Sequence, residues 1–290
     1  MPCAPILVTG VTGQVGGAVF RQAQQRGLNI WAPTRADLDL TSASSIKRAM
    51  SENALSAVIN CAAYTAVDKA ESEPELAAQI NAEAPAILAA ETRRRGIPLI
   101  HVSTDYVFDG EKSDPYIESD FVNPINVYGK TKQAGEAAIQ ATQPNHAIIR
   151  TAWVLSASGA NFLNTMLRLG AERAEVSVVA DQFGCPTAAD DIAHALLTVT
   201  QNLRDRAGTW HFVNQGSASW YELAAFIFAE ASRRHLATPQ LRAITHQEYP
   251  TPARRPANSQ LSTAKFEKDF SSAPRTWQEA VSDVLQQRFS

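Results

Sequence analysis

The feature that most constrains this chain is a glycine-rich turn close to its N-terminus. The apolar run Ile6–Thr9 leads directly into Gly10, Gly13 and Gly16, and an amphipathic stretch follows. This order predicts a strand, a tight turn and a helix, in which glycines let backbone N–H groups at the helix start approach a pyrophosphate. The residues predicted to hold a dinucleotide cofactor at this turn are Gly10, Thr12, Gly13, Gln14, Val15 and Gly16.

Strand and helix patterns alternate along the first half of the chain. Apolar runs near residues 29–32, 57–61, 99–103 and 147–151 are separated by helical patterns near residues 44–52, 75–95 and 128–142. Such alternation predicts βαβ units in a parallel sheet. The expected fold class is therefore α/β, with a Rossmann-type doubly wound parallel sheet in residues 1–150, to which parts of the later chain return. Residues 151–290 are expected to form a smaller C-terminal lobe.

The composition excludes several classes of protein. The chain is 45% hydrophobic and 19% charged, which is an ordinary globular balance, and its net charge of −3 gives no footprint for nucleic acid. The sequence has no run of 18 apolar residues and no signal-peptide pattern. Its three cysteines, Cys3, Cys61 and Cys185, are few and far apart, which argues against a disulfide framework. We expect a cytoplasmic protein that binds neither nucleic acid nor a membrane.

The end of the second predicted strand bears on the choice of cofactor. An acid at this point bonds the ribose 2′-hydroxyl of NADH, whereas a basic residue accommodates the 2′-phosphate of NADPH. Here Arg35 precedes the first acids, Asp37 and Asp39, so the sequence favours NADPH with NADH tolerated; the alternative is that Arg35 is a solvated loop cation. Further residues after strand ends that are predicted to contact the cofactor are Asp39, Leu40, Ala62, Ala63 and Tyr64.

Tyr128 and Lys132 are four residues apart in a predicted helix, which places them on one face. An ammonium close to a phenol favours the phenolate and is expected to lower the pKa of Tyr128. Such a pair can pass a proton to a carbonyl oxygen while hydride reaches the carbon. The alternative is an exposed Tyr–Lys pair without a chemical role.

Thr104 and Asp105 end the strand that precedes this helix. A hydroxyl at the carboxyl end of a parallel strand reaches the crevice in which ligands of doubly wound sheets bind, so Thr104 is predicted to bond the same substrate oxygen as Tyr128. Asp105 is a candidate general acid or base, a substrate contact or a turn former. The six histidines are scattered without metal-ligand spacing, and no metal site is predicted from them.

Taken together, these residues resemble the extended short-chain dehydrogenase/reductases. Within that group the chain is most similar to the reductases of dTDP-4-dehydrorhamnose, and the similarity covers most of its length. The segments that carry it are residues 13–16, 62–74, 103–110, 126–132, 150–153, 184–187 and 255–259.

The resemblance implies reduction of the C4 ketone of dTDP-4-dehydro-L-rhamnose to dTDP-L-rhamnose by NADPH or NADH. It implies that Tyr128 supplies the proton, that Lys132 tunes Tyr128 and holds the nicotinamide ribose, and that Thr104 bonds the substrate oxygen. It further places Trp153 beside the sugar, and Arg255 and Asn258 near the diphosphate, so that residues 151–290 would mainly bind the sugar nucleotide.

Three neighbouring functions also resemble this pattern. Sugar-nucleotide 4,6-dehydratases need a glutamate after the strand-end aspartate, where this chain has Tyr106. A non-catalytic regulatory subunit with the same fold and a nucleotide-sugar epimerase that recycles its cofactor remain alternatives.

Some members of the reductase family bind Mg²⁺ at a dimer interface. This chain has Ala18 in place of one acidic ligand, although Asp190 is available as the other, so neither the metal nor the dimer is predicted from it. A monomer or a weak homodimer is expected.

Overall fold

The computed structural model describes residues 4–203 and 207–289, so Cys3 lies outside the described residues. The strands are β1 Ile6–Thr9, β2 Ile30–Trp31, β3 Ala57–Asn60, β4 Leu99–Thr104, β5 His146–Thr151, β6 Val154–Leu155, β7 Glu175–Val179, β8 Phe183–Gly184, β9 Thr187–Ala188, β10 Gly208–His211, β11 Ala218–Ser219 and β12 Gln240–Ile244. The helices are α1 Gln14–Gln25, α2 Ala43–Glu52, α3 Val67–Ala70, α4 Pro74–Ala78, α5 Ala84–Arg95, α6 Val127–Thr142, α7 Phe162–Glu172, α8 Ala189–Asn202, α9 Trp220–Arg233, α10 Ala264–Phe270 and α11 Trp277–Phe289.

A six-stranded parallel sheet organises the molecule, with strand order β10-β5-β4-β3-β1-β2. The predicted α/β fold with a doubly wound parallel sheet is therefore confirmed. The chain order reverses between β1 and β3, and ligands of such sheets bind at that switch point, beyond the carboxyl ends of the strands. The sixth strand, β10, comes from the second half of the chain and pairs with β5.

Successive side chains along each strand point to opposite faces of the sheet, and helices cover both faces. Val8 and its neighbours pack under α1, α8 and α10, whereas Leu7 and its neighbours pack under α2, α5 and α6. Because both faces are covered, the strands carry buried apolar residues on both faces rather than on one face only. A separate apolar cluster joins α7, α9 and α11 in the C-terminal part, where three two-stranded sheets pair β6 with β9, β8 with β11 and β7 with β12.

The helix predicted over residues 75–95 differs in the structure, where α4 and α5 are joined by a π-helical turn, Gln79–Glu83. Asn81 lies in this turn, is buried, and bonds the backbone of Tyr64 through both ends of its amide. A side chain at Gly135 would place its Cβ 2.2 Å from the carbonyl oxygen of Asn81. The bulge therefore packs directly on α6, and helical periodicity alone does not reveal such a tertiary contact.

Within residues 4–203 and 207–289, no helix combines the length and the apolar character needed to cross a membrane.

Candidate active site

A cleft of about 730 Å³ opens at the carboxyl ends of β1, β3, β4 and β5. One side of the cleft is formed by the glycine turn between β1 and α1. The other is formed by the end of β4, the start of α6 and residues from the C-terminal part of the chain. The cleft therefore lies where the reversal of strand order predicts ligand binding.

The glycine turn is shaped so that side chains would obstruct it. Gly10 has φ +69°, and a Cβ on it would lie 2.8 Å from the backbone of Ala62. A Cβ on Gly16 would lie 2.2 Å from the carbonyl oxygen of Gly10. Gly13 caps α1 without any side-chain hydrogen bond, and the first turn of the helix holds no acidic residue. The positive end of α1 is thus open to an anionic group, which fits the pyrophosphate of a dinucleotide.

Most of the residues predicted to bind the cofactor line this cleft. They are Gly10, Thr12, Gly13, Gln14, Val15, Gly16, Arg35, Asp39, Leu40, Ala62, Ala63, Tyr128 and Lys132. Tyr64 is the exception, because its hydroxyl group donates to Glu73 at 2.6 Å, away from the cleft. Thr65 and Val67 line the cleft beside it instead. The sequence predicted that this loop contacts the cofactor, but only the fold decides which of its side chains face the cleft.

Arg35 and Asp39 flank the outer end of the cleft. The carboxylate of Asp39 accepts hydrogen bonds from the backbone N–H and the hydroxyl group of Thr41, at 2.9 and 2.8 Å, and these bonds lower its pKa. Arg35 is exposed at the rim. The acid is therefore engaged by its own loop, while the guanidinium remains available to the cleft.

Tyr128 and Thr104 meet at the inner end of the cleft. Burial raises the pKa of Tyr128 to about 12, and a hydrogen bond with the Thr104 hydroxyl group opposes this rise. The ring of Tyr106 contacts Tyr128 edge-on, with centroids 5.8 Å apart. The phenol therefore keeps its proton at neutral pH, as an acid that protonates a carbonyl oxygen must.

Lys132 lies beneath them and is 1% exposed. Its Nζ donates to the carbonyl oxygen of Val102 at 2.7 Å and lies 3.1 Å from Nε2 of His101. Burial lowers the pKa of Lys132 to about 8. The expectation that this ammonium lowers the pKa of Tyr128 is not met in this geometry, because burial dominates and Lys132 faces β4.

Several buried polar atoms of the cleft lack a hydrogen-bond partner. Asp105 accepts from the Thr104 hydroxyl group at 2.9 Å through Oδ1, but its Oδ2 is unpartnered. Burial raises the pKa of Asp105 to about 6, against the nearby hydroxyl groups of Ser259 and Thr104. The hydroxyl groups of Ser103 and Thr151 are likewise unpartnered and line the cleft. Buried polar atoms are normally paired, so these sites suit the polar groups of a bound ligand.

Two tryptophans form the wall contributed by the C-terminal part. Trp153 has φ +43° and stacks face to face on Trp220, with ring centroids 3.4 Å apart and planes 4° apart. A Cβ on Gly184 would lie 2.3 Å from the Trp153 ring, so this ring position needs glycine behind it. Trp220 begins α9 and was not predicted from the sequence, because nothing local to it marks a binding residue.

Comparison with known proteins shows the family of this chain. The family described as "RmlD substrate binding domain" matches residues 4–289. The chain belongs to this family. A dTDP-4-dehydrorhamnose reductase of Escherichia coli K12 is 43% identical over 98% of both chains, and one of Sinorhizobium fredii is 42% identical over 95% of both.

Solved structures of RmlD-family proteins have the same fold. A dTDP-4-dehydrorhamnose reductase of Clostridium acetobutylicum superposes with a TM-score of 0.94 at 37% identity, covering 99% of this chain and 100% of that one. The corresponding protein of Bacillus anthracis, in complex with NADP, superposes with a TM-score of 0.92 at 33% identity, covering 98% and 99%.

The structure does not bring Arg255 and Asn258 of this RmlD-family chain into the cleft. Arg255 forms a two-pronged ion pair with Asp68, at 3.0 and 2.7 Å, and also bonds Thr251. The side-chain amide of Asn258 donates to the carbonyl oxygen of Lys112 at 2.7 Å, and its oxygen accepts from the backbone of Gln260. Both side chains thus hold loops together, and their expected place near the diphosphate of the ligand stays a prediction.

The residues considered for a metal ion make other contacts in the structure. Ala18 is buried, and Asp190 forms an ion pair with Arg21 and accepts from Gln287 at 3.0 Å. Across the described parts of the RmlD-family chain, no three side chains of histidine, cysteine, aspartate or glutamate are grouped as metal ligands. Asp190 therefore already has a cationic partner and an amide donor within this chain.

Proposed function

We propose that this protein reduces the C4 ketone of dTDP-4-dehydro-L-rhamnose to dTDP-L-rhamnose, using NADPH. The observation that carries this proposal is the meeting of Tyr128, Thr104 and Lys132 in one cleft that begins at the glycine turn. The activity named for its relatives, at 42–43% identity over nearly the whole chain, supports the same conclusion.

NADPH is the cofactor that the outer end of the cleft supports best. One oxygen of the Asp39 carboxylate, Oδ1, already accepts two hydrogen bonds from Thr41. Arg35 offers a guanidinium at the same rim, and its fork geometry suits a phosphate. The backbone N–H groups that begin α1 would hold the pyrophosphate. When bound, the cofactor supplies the hydride.

The remaining chemistry belongs to the side chains at the inner end. Tyr128 holds a proton at neutral pH and donates it to the C4 oxygen as that oxygen gains charge. The Thr104 hydroxyl group positions the same oxygen, and Lys132, which lines the same cleft, would hold the nicotinamide ribose. The unpartnered Oδ2 of Asp105 accepts from a hydroxyl group of the sugar.

The C-terminal part supplies the sugar side of the site. Trp153 and Trp220 present aromatic surface, which suits the apolar face of a deoxysugar or a thymine ring. We assign residues 151–290 mainly to the sugar nucleotide and residues 1–150 mainly to the cofactor, with β10 as the returning strand of the sheet.

The direct test mixes the purified protein with NADPH and dTDP-4-dehydro-L-rhamnose and follows the loss of nicotinamide absorbance. We expect stoichiometric oxidation of NADPH and formation of dTDP-L-rhamnose. No loss of absorbance, in conditions where a known reductase consumes the same sugar, would contradict the proposal and favour a regulatory subunit. Nicotinamide that stays bound through gel filtration, with interconversion of epimers and no net oxidation, would favour an epimerase.

A further inference from the structure

Three buried polar residues lie side by side across the middle of the sheet, and we call them the polar row: Thr9, Asn60 and His101. Strand register places Thr9 of β1 opposite Asn60 of β3, and Asn60 opposite His101 of β4. They are 3%, 1% and 0% exposed. Beyond His101 the register continues to an apolar residue, Ile148 of β5. The polar row thus leads from the glycine turn to the centre of the sheet and ends there.

The polar row is hydrogen-bonded along its whole length. In the structure the Thr9 hydroxyl group donates to Asn60 Oδ1 at 2.6 Å, and the Asn60 NH₂ group lies 3.0 Å from His101 Nδ1. His101 Nε2 in turn lies 3.1 Å from Nζ of Lys132. The backbone N–H of Ala62 also donates to Thr9 Oγ1, at 3.2 Å. One chain of contacts therefore connects the buried lysine of the site to the loops that hold the cofactor side of the cleft.

Hydrogen-bond counting allows two arrangements of this chain, and they differ in the charge on Lys132. A neutral imidazole donates from one nitrogen and accepts at the other. If the Asn60 NH₂ group donates to Nδ1, the proton of His101 is on Nε2 and faces Lys132, which must then be a neutral amine. If Lys132 is an ammonium that donates to Nε2, the proton is on Nδ1 and the Asn60 amide must present its oxygen to it. An amide can turn in place between these two orientations.

The second arrangement satisfies every group in the row. It requires the Asn60 amide to turn from its orientation in the structure. Lys132 then donates to Val102 and His101, His101 donates to the Asn60 oxygen, and the Asn60 NH₂ group donates to Thr9. Thr9 then accepts from Asn60 and Ala62, and its own hydroxyl proton is free to donate into the cleft that it lines. The first arrangement also satisfies the row, but only with an uncharged lysine.

We propose that Asn60 and His101 are positioning residues for Lys132, and that they hold it as an ammonium when the Asn60 amide turns to present its oxygen to Nδ1 of His101. The two act through the lysine and do not themselves contact substrate. This role rests on the proposed function for its use in turnover, since Lys132 lines the cleft in which Tyr128 and Thr104 meet. The hydrogen-bond arrangement itself can be measured without any substrate.

Other charges around Lys132 are few among the described residues. Glu136 on the same helix and Cys61 after β3 both act to raise its pKa, whereas burial lowers it to about 8. Glu136 is bound to Arg150 at 2.6 Å, which limits its influence on the lysine. Tyr128 on the same helix keeps its proton at neutral pH. Burial and the neighbouring ammonium keep His101 neutral by lowering its pKa. β4 therefore offers Lys132 two polar partners. One is the neutral acceptor Nε2 of His101, and the other is the backbone carbonyl oxygen of Val102.

The test measures the pKa of Lys132 directly. The chain has seven lysines, so the protein labelled with ¹³C at lysine Cε gives few resonances, and the Lys132→Arg variant assigns the one that matters. Titration of the cofactor-free protein then gives the pKa of Lys132. In His101→Phe the ammonium loses an acceptor, and we expect this pKa to fall by about one unit, equal to about a tenfold change in proton affinity. No change, or a rise, would overturn the proposal.

A second variant should change the pKa of Lys132 in the opposite direction. It keeps the proposal testable if the first variant does not fold. Asn60→Asp keeps the size of the side chain and holds the Nδ1 proton of His101 more strongly, so the pKa of Lys132 should rise; a fall or no change would overturn the proposal. The matched control is His146→Phe. His146 is a buried histidine at the N-terminal end of β5, and its ring bonds the Gln143 carbonyl oxygen. It should leave the pKa of Lys132 unchanged.

The same variants separate this inference from the proposed function. With reductase activity present, the pH at which kcat is half-maximal should shift in the same direction as the pKa of Lys132. If the wild-type protein shows no reduction but the lysine resonances shift as expected, the proposed function fails and the polar row stands. If reduction is normal and the lysine resonance does not respond to either variant, the polar row fails alone.

Discussion

The rings of Trp153 and Trp220 lie parallel and 3.4 Å apart, and they join a loop after β5 to the first residue of α9. The two residues are 67 positions apart in sequence, taken as 220 − 153. The Phe162 ring contacts the Trp220 ring, with centroids 4.7 Å apart. The cleft thus has a rigid aromatic wall on the side opposite the glycine turn.

Removing the second ring should weaken binding of the sugar nucleotide more than it slows chemistry. For Trp220→Ala we expect KM for the keto sugar to rise about tenfold, since an aromatic contact of this kind is worth about 0.5–1.5 kcal/mol beyond its buried area, and kcat to stay within about threefold. Steady-state kinetics with saturating NADPH checks this. Tyr221→Ala is the matched control, because Tyr221 follows on the same helix and does not line the cleft. Equal KM changes in both variants would contradict a specific role for Trp220.

Loss of the Tyr128 hydroxyl group should remove the acid of the reaction. Tyr128→Phe is expected to lower kcat by about 10²–10⁴-fold, the usual contribution of a positioned proton donor, while the Kd for NADPH changes little. Single-turnover absorbance and fluorescence titration measure the two quantities. Tyr64→Phe provides the control, since the Tyr64 hydroxyl group bonds Glu73 outside the cleft. Turnover that survives in Tyr128→Phe would reject the assigned role.

The charge at the cleft rim should decide between the two nicotinamide cofactors. Arg35→Ala is expected to lower kcat/KM for NADPH about tenfold and to leave kcat/KM for NADH nearly unchanged, because a 2′-phosphate loses a charge-assisted partner and a 2′-hydroxyl does not. The ratio of the two values is the measurement. Arg48→Ala removes another exposed arginine, on α2 and outside the cleft, and should leave that ratio unchanged. A parallel loss with both cofactors in Arg35→Ala would contradict the assignment.

The buried carboxyl of Asp105 should destabilise the fold as pH rises. Its pKa is raised to about 6 from an ordinary value of 3.8, so the folded state binds more protons than the unfolded state between these values. Stability is therefore lost as pH rises from about 4 to about 6, and the penalty is fully present above that window, at about 3 kcal/mol from about 1.4 kcal/mol per unit. Asp105→Asn should raise Tm by several degrees at pH 7.5 and by much less at pH 4.

Asp109 serves as the comparison, because its pKa is lowered whereas that of Asp105 is raised. Hydrogen bonds from the Glu111 backbone, Tyr116 and Asn123 overcome burial and lower the pKa of Asp109. This contribution to stability is present above the ordinary carboxyl pKa and is lost on acidification. Asp109→Asn should therefore lower Tm at pH 7.5. Thermal unfolding at both pH values measures both variants, and a lower Tm for Asp105→Asn at pH 7.5 would contradict the burial argument.

Local patterns account for what could be predicted. The glycine spacing and the Tyr128–Lys132 pair each depend on residues within one turn or one helix, so their geometry follows from the chain itself. A local pattern also marks the start of α9, where Ser219 and Glu222 form a capping box. The π-helical turn at Gln79–Glu83 was not predicted, because it is stabilised by Asn81 and by close packing on α6.

By itself, then, the sequence determined the parallel α/β fold, the glycine turn at the start of α1 and the residues that meet at the inner end of the cleft. Local spacing specifies these features. The tertiary structure decided which side chains face the cleft: it brought in Trp220, turned Tyr64 away, and engaged Arg255 with Asp68, a partner 187 residues distant. It also aligned Thr9, Asn60 and His101 through strand register. Contacts between distant segments depend on packing and register, which no local pattern encodes.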